Sequence, residues 1–407
     1  MDKFNNFLAR FVRKEKFRPL NEFFQIEQRS GILLILVTIV SLYLANSSLA
    51  EGYMEFWHSK IGIHGFGSHF TLTIEEWIND GLMTIFFLVV GLEIKRELRQ
   101  GELSTPSKAA LPMIAALGGM VVPALIYASI AHNPEYSHGW GIPMATDIAF
   151  ALGVLSLLGK RVPISVKIFL TALAVTDDLG AIVVIAAAYT SDLASDYLFI
   201  ALGVFAFMML MNRLRVSNFV AYIFAGTVMW YFMLKSGVHA TLAGVLTAFT
   251  IPSYTKFHQY KETALIEHRL HEISNFIIMP LFALANTAVP LNVEFGEVFS
   301  STLSIGVIAG LLIGKPLGII GFSLLAVKFK IGSLSADITK RHLIGAGFLG
   351  GIGFTMSIFI SMLAFDNPEH QAFAKISILV GSVTSGLIGY IILNGCKTED
   401  TSDYFFF

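Results

Sequence analysis

Leu173-Ala174-Val175-Thr176-Asp177-Asp178-Leu179-Gly180 is the stretch that organises this chain, because it places two adjacent carboxylates inside a long apolar run. The run extends from Ile164 to Tyr189 and can span a bilayer, whose hydrocarbon core requires about 20 helical residues. A charged side chain at that depth costs about 2.5 to 3.5 kcal/mol on insertion scales, so such groups usually mark an ion or proton path. The alternative is a structural role, in which the aspartates hydrogen-bond a neighbouring helix.

The composition is that of an integral membrane protein. Of the 407 residues, 55 % are hydrophobic and 14 % are charged, and the mean hydropathy is +0.68, far from an ordinary soluble domain. Continuous apolar runs predict an all-α protein, whereas a barrel would show short alternating segments. The net charge of −1 says little about partners, although we expect none to be a nucleic acid. The single cysteine, Cys396, allows no intrachain disulfide or thiolate metal site.

About twelve apolar runs are predicted to be membrane-spanning helices. They cover residues 31–49, 77–94, 109–130, 142–159, 164–189, 197–211, 218–234, 238–251, 273–290, 302–327, 343–364 and 373–394. Positive charge collects in cytoplasmic loops, and with both termini placed in the cytoplasm the external loops contain only Lys60 and Lys235. Of the other basic residues, Lys375 lies at the outer start of the last run and Lys315 lies in the middle of the tenth.

The runs divide the chain into three predicted parts. Residues 1–29 are basic and aromatic, which predicts a cytoplasmic amphipathic segment at the lipid surface, with a plain basic tail as the alternative. Residues 30–396 are predicted to form the twelve-span transporter domain, and residues 397–407 a cytoplasmic tail.

A loop between the first two spans, residues 50–73, is predicted to be an external hairpin. Tyr53–Ile63 and His69–Ile74 flank the turn His64-Gly65-Phe66-Gly67, and two such runs around a glycine-containing turn are typical of a β-hairpin.

Two of the runs contain residues that break helices. Pro143 and the polar pair Thr146-Asp147 interrupt the fourth run, and five glycines between Gly345 and Gly353 interrupt the eleventh. By the charge rule these runs cross in opposite directions, each in the middle of a three-span group. This pattern predicts inverted-topology repeats with two broken helices crossing near the midplane, and an ion-site core formed by residues 142–189 and 302–364. Close packing through small residues is the alternative for the glycines.

Lys315 lies too deep in its run to reach either interface. We therefore expect it to have a carboxylate partner, and the candidates are Asp177, Asp178 and Asp147. A salt bridge that only holds the spans together is the alternative.

Several other titratable residues are candidates for regulation or accessory roles. Asp80 and His239 are candidate accessory residues; an interfacial carboxylate and a hydrogen-bonded structural histidine are the alternatives. The candidates for a pH response are Glu93, Glu267, His268 and His271. For these, an ordinary interfacial residue (Glu93) and a solvated charged helix face are the alternatives.

Three motifs in order, Ala145–Gly153, Thr176–Gly180 and Leu312–Gly318, resemble those of the NhaA-type bacterial sodium/proton antiporters, and the resemblance extends from about Gly31 to Leu393. Such antiporters are among the known inverted-repeat transporters. The resemblance implies a multi-pass protein of the bacterial inner membrane with about twelve spans and no cofactor.

The resemblance also implies roles for individual residues. Asp177 and Asp178 would bind Na⁺ or protons, Thr146 and Asp147 would belong to the crossed-helix region, and Lys315 would pair with Asp177. Family members use the external hairpin for dimerisation, which implies a homodimer through residues 50–73, and the region of Glu267 for pH response. One departure is that Ala264 and Leu265 are apolar where the well-known enterobacterial member is basic.

The predicted function is exchange of cytoplasmic Na⁺ or Li⁺ for external H⁺ by a secondary transporter in the lipid bilayer, not by an enzyme. A carboxylate holds either a hard cation or a proton, and alternating access converts this competition into exchange. A second titrating group, Asp177 or Lys315, would make the exchange electrogenic. A sodium-coupled symporter of an organic anion is the closest alternative; an intramembrane aspartyl protease and a retinal-binding pump using Lys315 fit the motifs and span count less well.

Overall fold

The structure is a computed structural model that describes residues 18–65, 68–190, 193–252, 261–289 and 295–396, and these residues are mostly helical. The elements of the first half are α1 (Arg18–Ala45), α2 (Ala50–His58), β1 (Lys60–Gly65), β2 (Ser68–Thr73), α3 (Ile74–Gln100), α4 (Pro106–Ile130), a 3₁₀ segment (Pro134–Met144), α5 (Ile148–Leu157), a 3₁₀ turn (Gly159–Arg161) and α6 (Ile164–Ala188).

The second half of the chain continues the bundle. Its elements are α7 (Ser195–Arg213), α8 (Phe219–Ser236), α9 (Leu242–Thr250), α10 (Lys261–Ile273) followed by a π-helical turn (Ser274–Ile278), α11 (Met279–Asn286), α12 (Phe295–Ser300), α13 (Thr302–Lys328), α14 (Lys340–Gly350), α15 (Phe354–Ala364) and α16 (Pro368–Asn394). Two long helices contain π-helical turns of their own, at Trp77–Leu82 in α3 and at Gly310–Gly314 in α13.

The number of membrane spans can be read in part from these helices. Within the described residues, 8 helices are long and apolar enough to cross a membrane, and two bent pairs raise the number to 10. The multi-span, all-α class is thus confirmed. The predicted runs 238–251 and 273–290 correspond to α9, of 9 residues, and to α11 with the turn before it, of 8 and 5 residues. These are too short to count by length alone, so the total of about twelve stays a prediction.

The predicted helix breaks are present in the structure. The 3₁₀ segment and α5 meet at an angle of 46°, and α14 and α15 meet at 41°. Residues 145–147 and 351–353 form the two non-helical connections. Proline and a threonine–aspartate pair break the first helix, and closely spaced glycines break the second, as the sequence predicted.

Close packing of α13 on α4 fixes the position of Lys315. Gly118 of α4 and Gly318 of α13 lie backbone to backbone, so a Cβ atom on either would collide with the carbonyl oxygen of the other. Gly314 packs in the same way on Pro123. Small residues at membrane-helix crossings allow such close approach. Since Gly314 and Gly318 flank Lys315 along the chain, the two contacts hold its backbone against α4.

The first helix begins earlier than the sequence predicted. Helix α1 starts at Arg18 and continues without interruption to Ala45, so one helix contains residues 18–29 of the predicted N-terminal segment together with the first apolar run. No glycine interrupts the chain between Arg18 and Gly31. The charged Glu27 is tolerated in this helix because Asn275 and His271, which are distant in sequence, contact its carboxylate. The rest of the predicted N-terminal segment, residues 1–17, and the predicted tail, 397–407, lie outside the described residues.

The predicted hairpin forms, but over fewer residues. Strands β1 and β2 pair antiparallel from Lys60 with Thr73 to Gly65 with Ser68, and residues 66 and 67 of the turn lie outside the described residues. The segment 53–58, predicted as strand, belongs instead to helix α2. Helical spacing places Tyr53 and Trp57 on one face, where their rings meet edge to face with centroids 5.8 Å apart.

Candidate ion-binding site

The site lies where the two helix breaks meet. The amide of Asp147 donates to the carbonyl of Ile352 at 2.7 Å, so the two breaks are hydrogen-bonded to each other. The Thr146 hydroxyl has one proton to donate and two acceptors within reach, the Gly350 carbonyl at 2.9 Å and Oδ2 of Asp177 at 2.7 Å. Buried backbone groups that have left a helix need such partners, and each break supplies them to the other.

Asp147 caps two helices at once. Its Oδ1 atom accepts from the amide of Phe150 at 3.0 Å, which caps α5, and its Oδ2 atom accepts from the amide of Thr355 at 3.1 Å and from the Thr355 hydroxyl. Thr355 lies in the first turn of α15. The N-terminus of a helix carries partial positive charge, so one carboxylate is stabilised by two facing helix ends. Asp147 is 1 % exposed, and these contacts explain how its charge is accommodated.

Lys315 places a positive charge at the C-terminal end of a helical segment, whereas Asp147 places a negative charge at two N-terminal ends. Its ammonium donates to the carbonyl of Met144, the last residue of the 3₁₀ segment, and to Oδ2 of Asp177. A cation is favourable beside the partly negative C-terminal end of a helix. Lys315 is 0 % exposed, so an ion pair and a backbone carbonyl hold it at full burial. The carboxylate partner that the sequence required for this lysine is therefore Asp177.

Asp177 is only partly satisfied by its neighbours. Its Oδ2 atom accepts from the Thr146 hydroxyl at 2.7 Å as well as from Lys315. Its Oδ1 atom is buried and has no hydrogen-bond partner among the described residues. An unpaired buried acceptor is costly unless something else occupies its free lone pairs.

Asp178 is the least satisfied of the three aspartates. It is 3 % exposed, and its Oδ1 atom also lacks a hydrogen-bond partner in the described part of the chain. Unlike Asp177, its side chain lines a cavity, of about 40 Å³. A site of this size holds a few water molecules or a small cation with little hydration, because about 10 to 15 Å³ of such volume is enough for one water.

The cavity connects Asp147 and Asp178 to several residues further along the bundle. Its lining includes Thr146 and Asp147 at the breaks, and Glu93 of α3, Glu27 of α1 and His271 of α10 at other points. Glu93, for which an interfacial position was the alternative, is buried at 8 % exposure. Within the described ranges no group of three or more His, Cys, Asp or Glu side chains is arranged to hold a metal ion.

The candidate pH-response residues fall into two groups. Glu267 accepts from Arg96 at 2.6 Å, and Arg96 also contacts Glu93 at 3.3 Å; His271 lies 2.9 Å from Glu27. These residues form one network with the cavity wall.

His268 lies apart from that network. It is half exposed and pairs with Glu272 at 3.7 Å. This arrangement fits the alternative given for it above, a solvated charged helix face.

The structure does not bring the accessory candidates to the cavity. Asp80 lies in the π-helical turn of α3, and its carbonyl accepts from the Trp230 indole at 3.0 Å. His239 contacts the Tyr189 carbonyl through Nε2. Neither lines the cavity that contains Asp178.

Three contributors were not identified from the sequence. Thr355 and Ser382 satisfy the second break, with the Ser382 hydroxyl accepting from the amides of Gly353 and Phe354 at 3.2 and 3.1 Å, and Glu27 lines the cavity. Thr355 follows the glycine run by two residues and could have been found as the polar residue opening the second half-helix. Nothing near Ser382 or Glu27 in the sequence indicates a role at the site.

Facing helix breaks inside a bundle of spanning helices, with buried carboxylates and one ammonium around them, define a secondary transporter for a small cation. Residues 21–393 match the family described as Na⁺/H⁺ antiporter 1. The chain is similar to the Na⁺/H⁺ antiporter NhaA of Flavobacterium psychrophilum, with 50 % identity over 91 % of this chain and 94 % of that protein.

Other relatives agree with this match. The Na⁺/H⁺ antiporter NhaA 1 of Flavobacterium johnsoniae is 48 % identical over 94 % of this chain and 98 % of its own length, and the NhaA of Vibrio parahaemolyticus is 46 % identical over 94 % and 99 %. The chain therefore belongs to the Na⁺/H⁺ antiporter family, and the resemblance found in the sequence is confirmed. This membership makes the protein a transporter and does not favour the protease, the pump or the symporter.

Proposed function

We propose that this Na⁺/H⁺ antiporter binds Na⁺ or Li⁺ at Asp178 and Asp177 in competition with protons, and exchanges cytoplasmic Na⁺ for external H⁺. The observation that carries the proposal is the buried Oδ1 atom of Asp178, which has no hydrogen-bond partner among the described residues although its side chain lines a cavity. A carboxylate oxygen in that position is a ligand for a hard cation when ionised and a proton carrier when neutral.

The competition becomes exchange if the site opens to one side of the membrane at a time. The two breaks are the natural hinge, because the regular hydrogen bonds of a continuous helix are interrupted there and the breaks are held by side chains and by each other. In this scheme Asp147 neutralises the N-terminal ends of α5 and α15, and Lys315 neutralises the C-terminal end of the 3₁₀ segment. Together they keep the broken backbone at membrane depth. Thr146 adds a hydroxyl oxygen beside Asp177.

A second proton per Na⁺ would come from the Asp177–Lys315 pair. When Na⁺ binds between the two aspartates, Asp177 would exchange its ammonium partner for the cation, and Lys315, left alone at full burial, would release a proton. Two protons for one Na⁺ move a net charge, so we propose that exchange is electrogenic.

Cation selectivity tests the proposed function directly. In inverted vesicles with an acid interior, added Na⁺ or Li⁺ is expected to collapse the proton gradient, while K⁺ should do so at least about tenfold less effectively, because small hard cations suit a compact carboxylate site. The gradient is followed with a fluorescent pH probe, and vesicles without the protein are the control. Equal responses to the three cations would remove the proposed selectivity.

The symporter alternative is tested in the same vesicles. A symporter of an organic anion would move sodium only with its organic substrate, whereas the proposed exchange requires only Na⁺ and protons. Proton movement in a buffer free of organic solutes other than an impermeant buffering agent is therefore expected, and its absence would favour the symporter.

We propose that Glu27, Glu93, Glu267 and His271 contribute to a pH response. Burial raises the pKa of Glu267 above its ordinary value, although the charge of Arg96 opposes the change. Burial alone lowers the pKa of His271, but the hydrogen bond and charge of Glu27, with the charge of Glu93, raise it above its ordinary value. The attraction between His271 and Glu27 is thus complete at low pH and is lost as pH rises through the raised pKa.

This sign gives a prediction for His271→Gln. A glutamine can hydrogen-bond Glu27 but carries no charge at any pH, so the variant should lack the low-pH attraction. In this proposal the attraction suppresses exchange at low pH, so exchange by the variant should begin at a lower pH. The pH of half-maximal exchange is expected to fall by about one unit, the usual size of an environmental shift of a histidine pKa. His268→Gln is the control and should leave this pH unchanged. An identical pH profile in His271→Gln and the wild type would exclude His271 from the response.

We further propose that the protein resides in a bacterial inner membrane as a homodimer with its termini in the cytoplasm. The two described strands each have an outer edge that pairs with no other described strand, and such edges readily pair with a second copy. Removal of residues 60–73 should convert dimers to monomers by native mass spectrometry; persistent dimers would contradict the role of the hairpin.

A phosphatase fused after Cys396 should be inactive if this end is cytoplasmic.

A further inference from the structure

Glu27 is a buried carboxylate to which the scheme above assigns a part in the pH response and no part in ion binding. It is 2 % exposed, and its Oε1 atom accepts from the Asn275 amide at 2.7 Å and lies 2.9 Å from Nε2 of His271. The same side chain lines the cavity that contains Asp178 and Asp147. A carboxylate is therefore placed on a cavity that reaches the proposed ion site.

The charges around this cavity are strongly unbalanced. The acidic side chains that line it are Glu27, Glu93, Asp147 and Asp178, whereas the one titratable basic side chain in its lining is His271. Arg96 compensates Glu93 and Glu267 from outside the lining, and Lys315 is engaged with Asp177. Clefts lined by one sign of charge and walled by apolar groups raise the local concentration of counter-ions.

A purely structural role would not require a charge at Glu27. An amide at this position could hydrogen-bond Asn275 equally well, and burying a neutral group costs less than burying a carboxylate. The Oδ1 atom of Asp178, which lines the same cavity and has no hydrogen-bond partner among the described residues, is an independent sign that this cavity receives a ligand.

We propose that Glu27 is a second cation-binding station, which captures Na⁺ or Li⁺ where α1 and α10 line the cavity and delivers it to Asp178. The proposal rests on the ion site at Asp178 proposed above. His271 competes with the cation for the Glu27 carboxylate, and Asn275 holds that carboxylate in place. Glu27 thus binds the transported ion on its way to Asp178. It does not coordinate the ion once the ion has reached the helix breaks.

The test is the split between apparent KM and maximal rate in Glu27→Gln. Loss of the capture site should raise the apparent KM for Na⁺ about tenfold, at the low end of the effect of charge focusing, while the maximal rate at saturating Na⁺ changes less than about twofold. Glu272→Gln is the matched control, because Glu272 is half exposed on the same helix as His271 and is absent from the cavity lining; its KM should be unchanged.

A charge swap separates capture from a structural role. In Glu27→Gln with Asn275→Asp, the amide and the carboxylate exchange places across the 2.7 Å hydrogen bond, so the negative charge returns to the cavity and the KM should fall back to within about threefold of the wild type. If Glu27→Gln does not accumulate in the membrane, the swap and Glu27→Asp decide the matter, both being expected to keep a low KM.

Two results would overturn the proposal. A Glu27→Gln variant with wild-type KM, or one with a reduced maximal rate that the swap does not restore, would leave Glu27 a structural residue. If the separate variant Asp178→Asn is inactive, either result overturns only the capture of the ion by Glu27. If Asp178→Asn is active, both the proposed ion site and this proposal are overturned.

Discussion

Asp178→Asn should abolish Na⁺/H⁺ exchange, lowering the rate by at least about a hundredfold, while the protein remains folded in the membrane. Asparagine has nearly the shape of aspartate but can neither take up a proton at neutral pH nor offer a charged oxygen to Na⁺. Oδ1 of Asp178 has no hydrogen-bond partner among the described residues, so the substitution breaks no contact of that atom. Replacing a buried ionisable group with a neutral one of the same volume also spares its desolvation cost.

The measurement is exchange in inverted vesicles at matched protein amounts, with thermal unfolding of the purified variant as the test of folding. Asp337→Asn is the control, because Asp337 accepts from the exposed Ser165 hydroxyl at 2.7 Å and lies outside the cavity. Substantial exchange by Asp178→Asn would show that the ion is bound elsewhere.

The second large effect concerns the buried pair of Lys315 and Asp177. Lys315→Gln alone leaves the Asp177 charge unpaired at 1 % exposure, and breaking a buried pair in this way costs about 3 to 5 kcal/mol. The double variant Lys315→Gln, Asp177→Asn removes both charges, so it should be clearly more stable than either single variant and should retain exchange through Asp178. The difference is measured as a double-mutant cycle of thermal unfolding.

The same variants test the source of the second proton. If the pair supplies it, wild-type exchange responds to membrane potential, because moving one elementary charge across the membrane is worth about 2.3 kcal/mol per 100 mV. Exchange by the double variant should be electroneutral and indifferent to potential. Rates compared with and without valinomycin and K⁺ decide the point, and a wild type that ignores the potential would contradict a two-proton scheme.

The sequence predicted those parts of the site in which a charged or helix-breaking residue interrupts an apolar run. Lys315 in the middle of an apolar run required a buried carboxylate, and the structure supplies Asp177. Pro143 with Thr146-Asp147, and the glycines up to Gly353, predicted breaks that the structure contains. Each of these signals is contained in one stretch of chain, because a charge or a helix breaker is out of place in an apolar helix whatever surrounds it.

Contacts between distant stretches could not be predicted in the same way. Thr355 hydrogen-bonds Asp147 across 208 positions of sequence, and Asn275 hydrogen-bonds Glu27 across 248. Glu27 was assigned to a surface segment because its own neighbours are charged, yet its partners belong to another helix. The strand predicted for Tyr53–His58 failed for a related reason, since packing of Trp57, at 5 % exposure, favours a helix there.

The central claim is that Na⁺ and protons compete for the same buried carboxylates. It is tested most directly by counting the protons released when Na⁺ or Li⁺ binds to the purified protein, using calorimetric titrations in two buffers of different ionisation enthalpy. The account predicts between about one and two protons released per ion by the wild type, and no measurable binding by Asp178→Asn. Binding of Na⁺ without proton release, or with the same affinity in Asp178→Asn, would contradict it.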